Sequence, residues 1–240
     1  MLVAAAVCPC PPLLVPEVAA GAAPELDTLR DACADALGVL AAARPDLLIV
    51  VGPADRPDRG PHPEGSTGTF RGFGVDLDVR LGRDLATATD PTDRPLPPSL
   101  AVGAWLLARA EWAGAPVEGL GVGEPLAAER CTGAGRDLAA RADRVALLVM
   151  GDGSACRTLK APGYLDERAE AFDAAAAHAL GAADPGALIA LDEALAYELK
   201  AAGRAPWQVL AGAAQGAGLA GRLLYEDAPY GVGYMVAAWS

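Results

Sequence analysis

The chain has 240 residues, 31 acidic against 19 basic, and its formal net charge of −12 excludes a nucleic-acid surface, which would need basic residues to neutralise phosphates. Its longest apolar runs, Leu47–Val51 and Val145–Met150, are far too short to cross a bilayer, so no membrane partner is expected. The length suits one α/β domain that buries most of its apolar surface without covalent staples.

The opening MLVAAAVCPCPP lacks a basic n-region and its apolar run stops at Val7. That is too short for a signal-peptide core, which makes Leu2–Val7 a buried first strand and the cytoplasm the expected location. Pro24–Ala43 carries leucines at 26, 29, 37 and 40 with charges between them, as a helix does. Leu47–Val51 is continuously apolar, the mark of a buried parallel strand. Gly52–Gly68, rich in Pro, Gly and Asp, predicts an irregular loop, and Phe70–Leu81 alternates like a half-exposed strand. Pro98–Ala113, Pro125–Ala142 and Asp166–Leu180 predict helices, with the buried strand Val145–Met150 entering a Gly151-Asp152-Gly153 turn. Ala187–Ala202 and Trp207–Gly216 continue as helix, and strands Arg222–Tyr225 and Val232–Ala238 close the sheet around a turn at Pro229–Gly231. The alternation predicts a single α/β domain: a central, mostly parallel mixed sheet with helices on both faces.

In such sheets ligands bind at loops beyond the carboxyl ends of the strands. Cys8–Pro16, Gly52–Gly68 and Gly151–Gly163 qualify, and any site is expected where they converge. Two familiar chemistries fail on local context. Gly151–Ala155 lacks the glycine two residues after its serine that a nucleophile elbow needs. Gly216–Gly221 precedes a strand instead of opening a helix, so it is no dinucleotide fingerprint. The five cysteines (Cys8, Cys10, Cys33, Cys131, Cys156) are odd in number without recurring spacing, and free thiols are expected.

The same loops carry a family likeness. CPCPPLLVPEV (Cys8–Val18), DLLIVVGP (Asp46–Pro53), LLVMGDGSACRTLKAPGYLDERAEAFD (Leu147–Asp173) and GVGYMVAAW (Gly231–Trp239) occur in that order. Together they resemble the catalytic-subunit superfamily of the class III extradiol ring-cleavage dioxygenases. The resemblance implies Fe(II) held by two histidines and one further ligand, with open positions for a catechol-type substrate and dioxygen, and a nearby histidine as acid/base. This sequence departs from that pattern. The first metal histidine falls on Cys10, the second on Ala54, and the histidine after Gly-Asp-x-Ser on Ala155. Glu198 and Glu226 are the nearest candidates for the further ligand, and neither sits in a recognisable motif.

The expectation is therefore a divergent member without tight iron binding, non-catalytic or repurposed to bind a small aromatic or other small molecule or a protein, with no cofactor. The alternative is an Fe(II)- or other divalent-metal-dependent oxidoreductase that cleaves catecholic rings through a rebuilt site. Asp152, Ser154 and His62 are the candidate catalytic residues, and Cys10, Pro11, Glu17, Pro53, Asp55 and Tyr164 the candidate pocket residues. Cys10 and His62 are the ligands if a metal binds.

Each has a plainer reading. Cys10 packs as a small thiol between prolines, His62 is a solvent-exposed loop residue, and His178 is a structural or surface residue of its helix. Asp152 and Ser154 favour a turn by bonding nearby amides, and Tyr164 packs against the next helix. Low aromatic content and alanine-rich surfaces point to helix-mediated association into a homo-oligomer.

Overall fold

Alanine and branched aliphatic residues form the centre of the sheet. The computed structural model describes residues 1–83 and 94–240. In chain order the strands are β1 (Leu2–Cys8), β2 (Leu47–Pro53), β3 (Gly60–His62), β4 (Thr67–Thr69), β5 (Asp78–Arg80), β6 (Val117–Val122), β7 (Val145–Met150), β8 (Gly221–Asp227) and β9 (Tyr234–Trp239). The helices are α1 (Pro16–Ala19), α2 (Asp27–Ala42), α3 (Pro98–Arg109), α4 (Ala128–Ala139), α5 (Ala169–Ala182), α6 (Pro185–Ile189), α7 (Glu193–Glu198) and α8 (Arg204–Ala213).

Seven strands form one mixed sheet in the order β3-β6-β2-β7-β1-β9-β8. β6, β2, β7 and β1 run parallel, while β3, β9 and β8 pair antiparallel. All six residues of β7 are buried, as expected of a central strand covered on both faces.

Side chains of β1 alternate between two cores, because successive residues of a strand point to opposite faces. Ala4, Ala6 and Cys8 face the core built with α2 and α3, and Ala5 and Val7 face the core built with α5 and α8. The second layer is drawn tight by glycine. A Cβ on Gly135 of α4 would lie 2.0 Å from the Val209 carbonyl oxygen, and one on Gly212 of α8 would lie 2.1 Å from that of Thr132. α4 and α8 therefore pack backbone against backbone, which fixes the loop preceding α4 against the start of α8. That loop is one wall of the cleft described below. Among the described residues no helix is long and apolar enough to cross a membrane.

The structure corrects four expected elements. Phe70–Leu81 is not one strand: β4 and β5 pair as a small separate ribbon, and a 3₁₀ turn at Arg71–Phe73 ends at Gly74, whose φ is +84°. The left-handed glycine breaks the alternation there. Gly52–Gly68 contains β3, an edge strand. Ala187–Ala202 is not one helix: Asp192 accepts the Leu195 amide at 2.7 Å and starts α7 anew after α6. β6 is absent from the expected elements; VEGLGV carries two glycines, which read as loop although its backbone completes the parallel ladder.

Candidate functional site

The parallel strands β1, β2, β6 and β7 end at Cys8, Pro53, Val122 and Met150 on one edge of the sheet. A cleft of ≈ 820 Å³ opens there, within the size range of small-molecule sites. Its floor is Cys10, Pro53 and Ala54, with Pro98 and Ser99 from the first turn of α3. Ser99 is buried and donates its hydroxyl to the Pro53 carbonyl at 2.6 Å, joining α3 to the end of β2. One wall is Asp55, Asp58 and Arg59 from the loop after β2. A second is Glu124 and Pro125 after β6. The third is the end of α7, Tyr197 and Glu198, with Lys200, Ala201 and Ala202 from the turn that follows it.

Asp152 lies directly behind the floor. Its Oδ1 accepts the Cys10 amide at 2.7 Å and its carbonyl accepts the Gly203 amide at 2.7 Å. One side chain thus joins the turns after β7 and β1, and its backbone joins them to α8. Burial pushes the Asp152 carboxyl up to about 6, partly offset by the Cys10 amide. Burial first, and then the Asp152 carboxylate, push the Cys10 thiol well above its ordinary value. Cys10 is therefore a protonated, 8 % exposed thiol, a poor nucleophile and a poor metal ligand.

Glu124 is the second perturbed acid of the cleft. Its Oε1 is 3.3 Å from Arg204 Nε, while Oε2 is buried with no hydrogen-bond partner among the described residues. Burial pushes this carboxyl up to about 7 against the opposing pull of Arg204. Arg204 is itself fully buried and also donates to the Glu124 and Leu126 carbonyls and to Gln208 Oε1. Gln208 in turn donates to the Leu188, Ile189 and Leu191 carbonyls. The Glu124 wall is thereby tied to a polar stripe along α8, which also reaches the end of α6 and the turn after it. Chain position gives no sign of Glu124, since its strand does not read as one. The Gly123-Glu124-Pro125 sequence after an apolar stretch is the signal that could have found it.

The candidate residues separate into three groups. Cys10, Pro53 and Asp55 line the cleft, and Asp152 supports it from behind. Ser154 does not face the cleft: it is fully buried and donates its hydroxyl to Asp173 Oδ2 at 2.7 Å, while its amide donates to Asp173 Oδ1 at 2.7 Å. Arg157 completes an ion pair with Asp173 at 3.1 Å. His62 is neither a surface residue nor turned into the cleft. It is 1 % exposed in β3, with Nε2 bonded to the Asp58 carbonyl at 2.9 Å, and burial lowers its pKa. Pairing of β3 with β6 holds it there.

Pro11, Glu17 and Tyr164 likewise stand apart from the cleft lining. Pro11 is buried, with its carbonyl capping a 3₁₀ turn. Glu17 projects to solvent from α1, and Tyr164 is 63 % exposed at φ +63°. His178 is an exposed residue of α5. Of the possible carboxylate ligands, Glu198 reaches the cleft and Glu226 lines a separate cavity of ≈ 360 Å³.

All five cysteines are free and buried. Among the described residues, no group of three or more His, Cys, Asp or Glu side chains converges closely enough to hold a metal ion. Iron bound by imidazole and carboxylate needs such a convergence, and the residues around Cys10 do not fit it.

Fold and cleft together define an α/β protein with a ligand-sized pocket at the carboxyl ends of its parallel strands. No protein-family model matches the chain, and no curated protein sequence matches it. Among solved structures it is similar to the uncharacterized protein JW3007 from Escherichia coli K12, at 16% identity over 99% of each chain with a TM-score of 0.56. That is a likeness of fold.

Proposed function

We propose that this chain is a divergent class III extradiol dioxygenase-like protein that uses the cleft to bind a small organic molecule without tightly held iron. One observation carries the reading. Cys10 and Ala54, the positions where the resemblance places the two metal histidines, line the same cleft. The resemblance would have both positions hold one iron, so it requires them to share a cavity, and their place in one lining supports the reading. The thiol at one position stays protonated and the alanine at the other offers no donor atom. The only histidine near in sequence, His62, is locked into β3. Apolar lining, a few placed polar groups, a perturbed carboxyl on one wall and a second behind the floor are the usual features of a small-molecule site.

Elemental analysis of protein purified without oxygen and incubated with Fe(II), followed by dialysis, tests the reading. The expected outcome is far less than one metal per chain, together with a thermal upshift from at least one compound of a small-molecule library. Stoichiometric iron or zinc surviving dialysis, with yellow ring-opened products from catechols, would establish the metal-dependent oxygenase instead.

A further inference from the structure

The charges of the cleft walls cancel except at a few groups, and those groups select a ligand class. Glu124 is paired with Arg204, and Glu198 with Arg168 at 2.7 Å. Arg59 and Lys200 are different. Arg59 commits only Nε, to the Ala54 carbonyl at 3.2 Å, and its terminal nitrogens make no hydrogen bond among the described residues. Lys200 has neither a hydrogen bond from its ammonium nor an ion pair among the described residues. Both cations line the cleft on different walls.

Both are also seated. The Arg59 guanidinium lies against Gly123, where a Cβ would meet its Cζ and Nε and displace it. The Lys200 stem runs beside Gly163 more loosely, its Cδ 3.3 Å from where a Cβ would stand, behind the closer Cys156 Sγ and Ala155 carbonyl. In a chain with 31 acidic and 19 basic side chains, two cations that have no carboxylate partner among the described residues, beside an apolar floor, are poised for an external anion. A guanidinium fork presents paired donors to a carboxylate, and an ammonium adds a point charge.

We infer that the cleft binds a small organic carboxylate: an apolar body over Cys10, Pro53, Ala54 and Pro98, with its anionic group between Arg59 and Lys200. This rests on the cleft being a small-molecule site, as proposed above. Asp55 and Asp58 stand on the same wall as Arg59 and have no ion-pair partner among the described residues. They oppose any anion, which excludes highly charged ligands and favours a single carboxylate.

Calorimetric titration of the full chain with benzoate, benzamide and inorganic phosphate tests the assignment. Benzoate should bind at least about tenfold more tightly than benzamide, since a hydrogen bond to a charged group is worth roughly one decade of affinity or more. Arg59→Gln and Lys200→Met should each erase most of that preference, and Asp58→Asn should strengthen benzoate binding. Far-UV circular dichroism and the melting temperature establish that each variant is folded. Equal binding of benzoate and benzamide overturns the carboxylate assignment and leaves the cleft as a small-molecule site. Phosphate binding as tightly as benzoate overturns the apolar-body part. No binding of any probe overturns the inference, and the library screen then decides whether the small-molecule reading falls with it.

Discussion

Asp152 and Asp173 flank the same glycine turn, and their surroundings differ in kind. Asp173 is 1 % exposed and fully engaged, accepting the amide and hydroxyl of Ser154 and pairing with Arg157. Added Cβ atoms on Gly153 and Gly233 would come within 2.7 and 2.5 Å of its carboxylate oxygens, so backbone closes around it on two sides. Asp152 accepts one backbone amide and has a carboxyl displaced to about 6. The first carboxylate is a latch between the turn after β7, α5 and the start of β9, with its hydrogen-bonding capacity spent inside the fold. The second belongs to a cleft whose charged groups are under-satisfied among the described residues: Glu124 has an orphaned oxygen, and Arg59 and Lys200 lack acidic partners there. Stability is concentrated on one side of the turn and chemical readiness on the other.

Breaking the latch should produce the largest effect. Asp173→Ala strands the Arg157 guanidinium and the Ser154 amide and hydroxyl, and should cost about 3–5 kcal/mol, the usual result of removing one partner of a buried charged network. Urea unfolding would measure it, and a loss below about 1 kcal/mol would remove the distinction drawn between the two aspartates.

The cleft side should reveal itself through pH. Glu124 has a folded pKa of about 7 against an ordinary 4.5, so between those values the folded state binds more protons than the unfolded one. Stability from this group is therefore full below about pH 4.5 and is lost as pH rises towards 7. Asp152 acts in the same direction over the window from 3.8 to about 6. Glu124→Gln, which cannot ionise, should gain on the wild type by roughly 2 kcal/mol between pH 5 and pH 8, read from urea midpoints at the two values. Parallel stability curves would show that Glu124 is not held above its ordinary range.

Cys10→Ser should have the smallest effect, within about 1.5 kcal/mol, because a near-isosteric polar atom replaces a side chain at the cleft floor. Thiol titration supplies a companion reading. All five buried thiols should be silent in the native protein and react together on unfolding.

Much of the fold is legible in the sequence because its signals are local. Continuous apolar runs identify β1, β2 and β7, and leucine spacing identifies α2. Other elements depend on partners distant in sequence. β6 has the composition of a turn and becomes a strand because β2 supplies its ladder. β3 forms only as an antiparallel edge on β6. The candidate site is legible to the extent that strand ends predict it: Cys10, Pro53 and Asp55 line the cleft and Asp152 backs it. Ser154 escapes such a reading because side-chain direction in a glycine turn follows from its partner, and Asp173 lies nineteen residues further on. His62 escapes it because a Pro-flanked histidine reads as exposed until β3 is known. Glu124 stays hidden because β6, the strand before it, reads as a loop, and Lys200 because its segment reads as part of one long helix.

The arrangement of the sheet also has a consequence for synthesis. β1 leaves the ribosome ahead of the other strands, yet its neighbours on either side are β7, which begins at Val145, and β9, which begins at Tyr234. At roughly 5–20 residues per second the first strand waits on the order of ten seconds before its earlier neighbour exists. Throughout that interval an apolar stretch destined for the middle of the sheet is available to any passing strand edge. Expression yield should therefore respond to translation speed and to chaperones that shield nascent chains more than the stability of the finished protein would suggest.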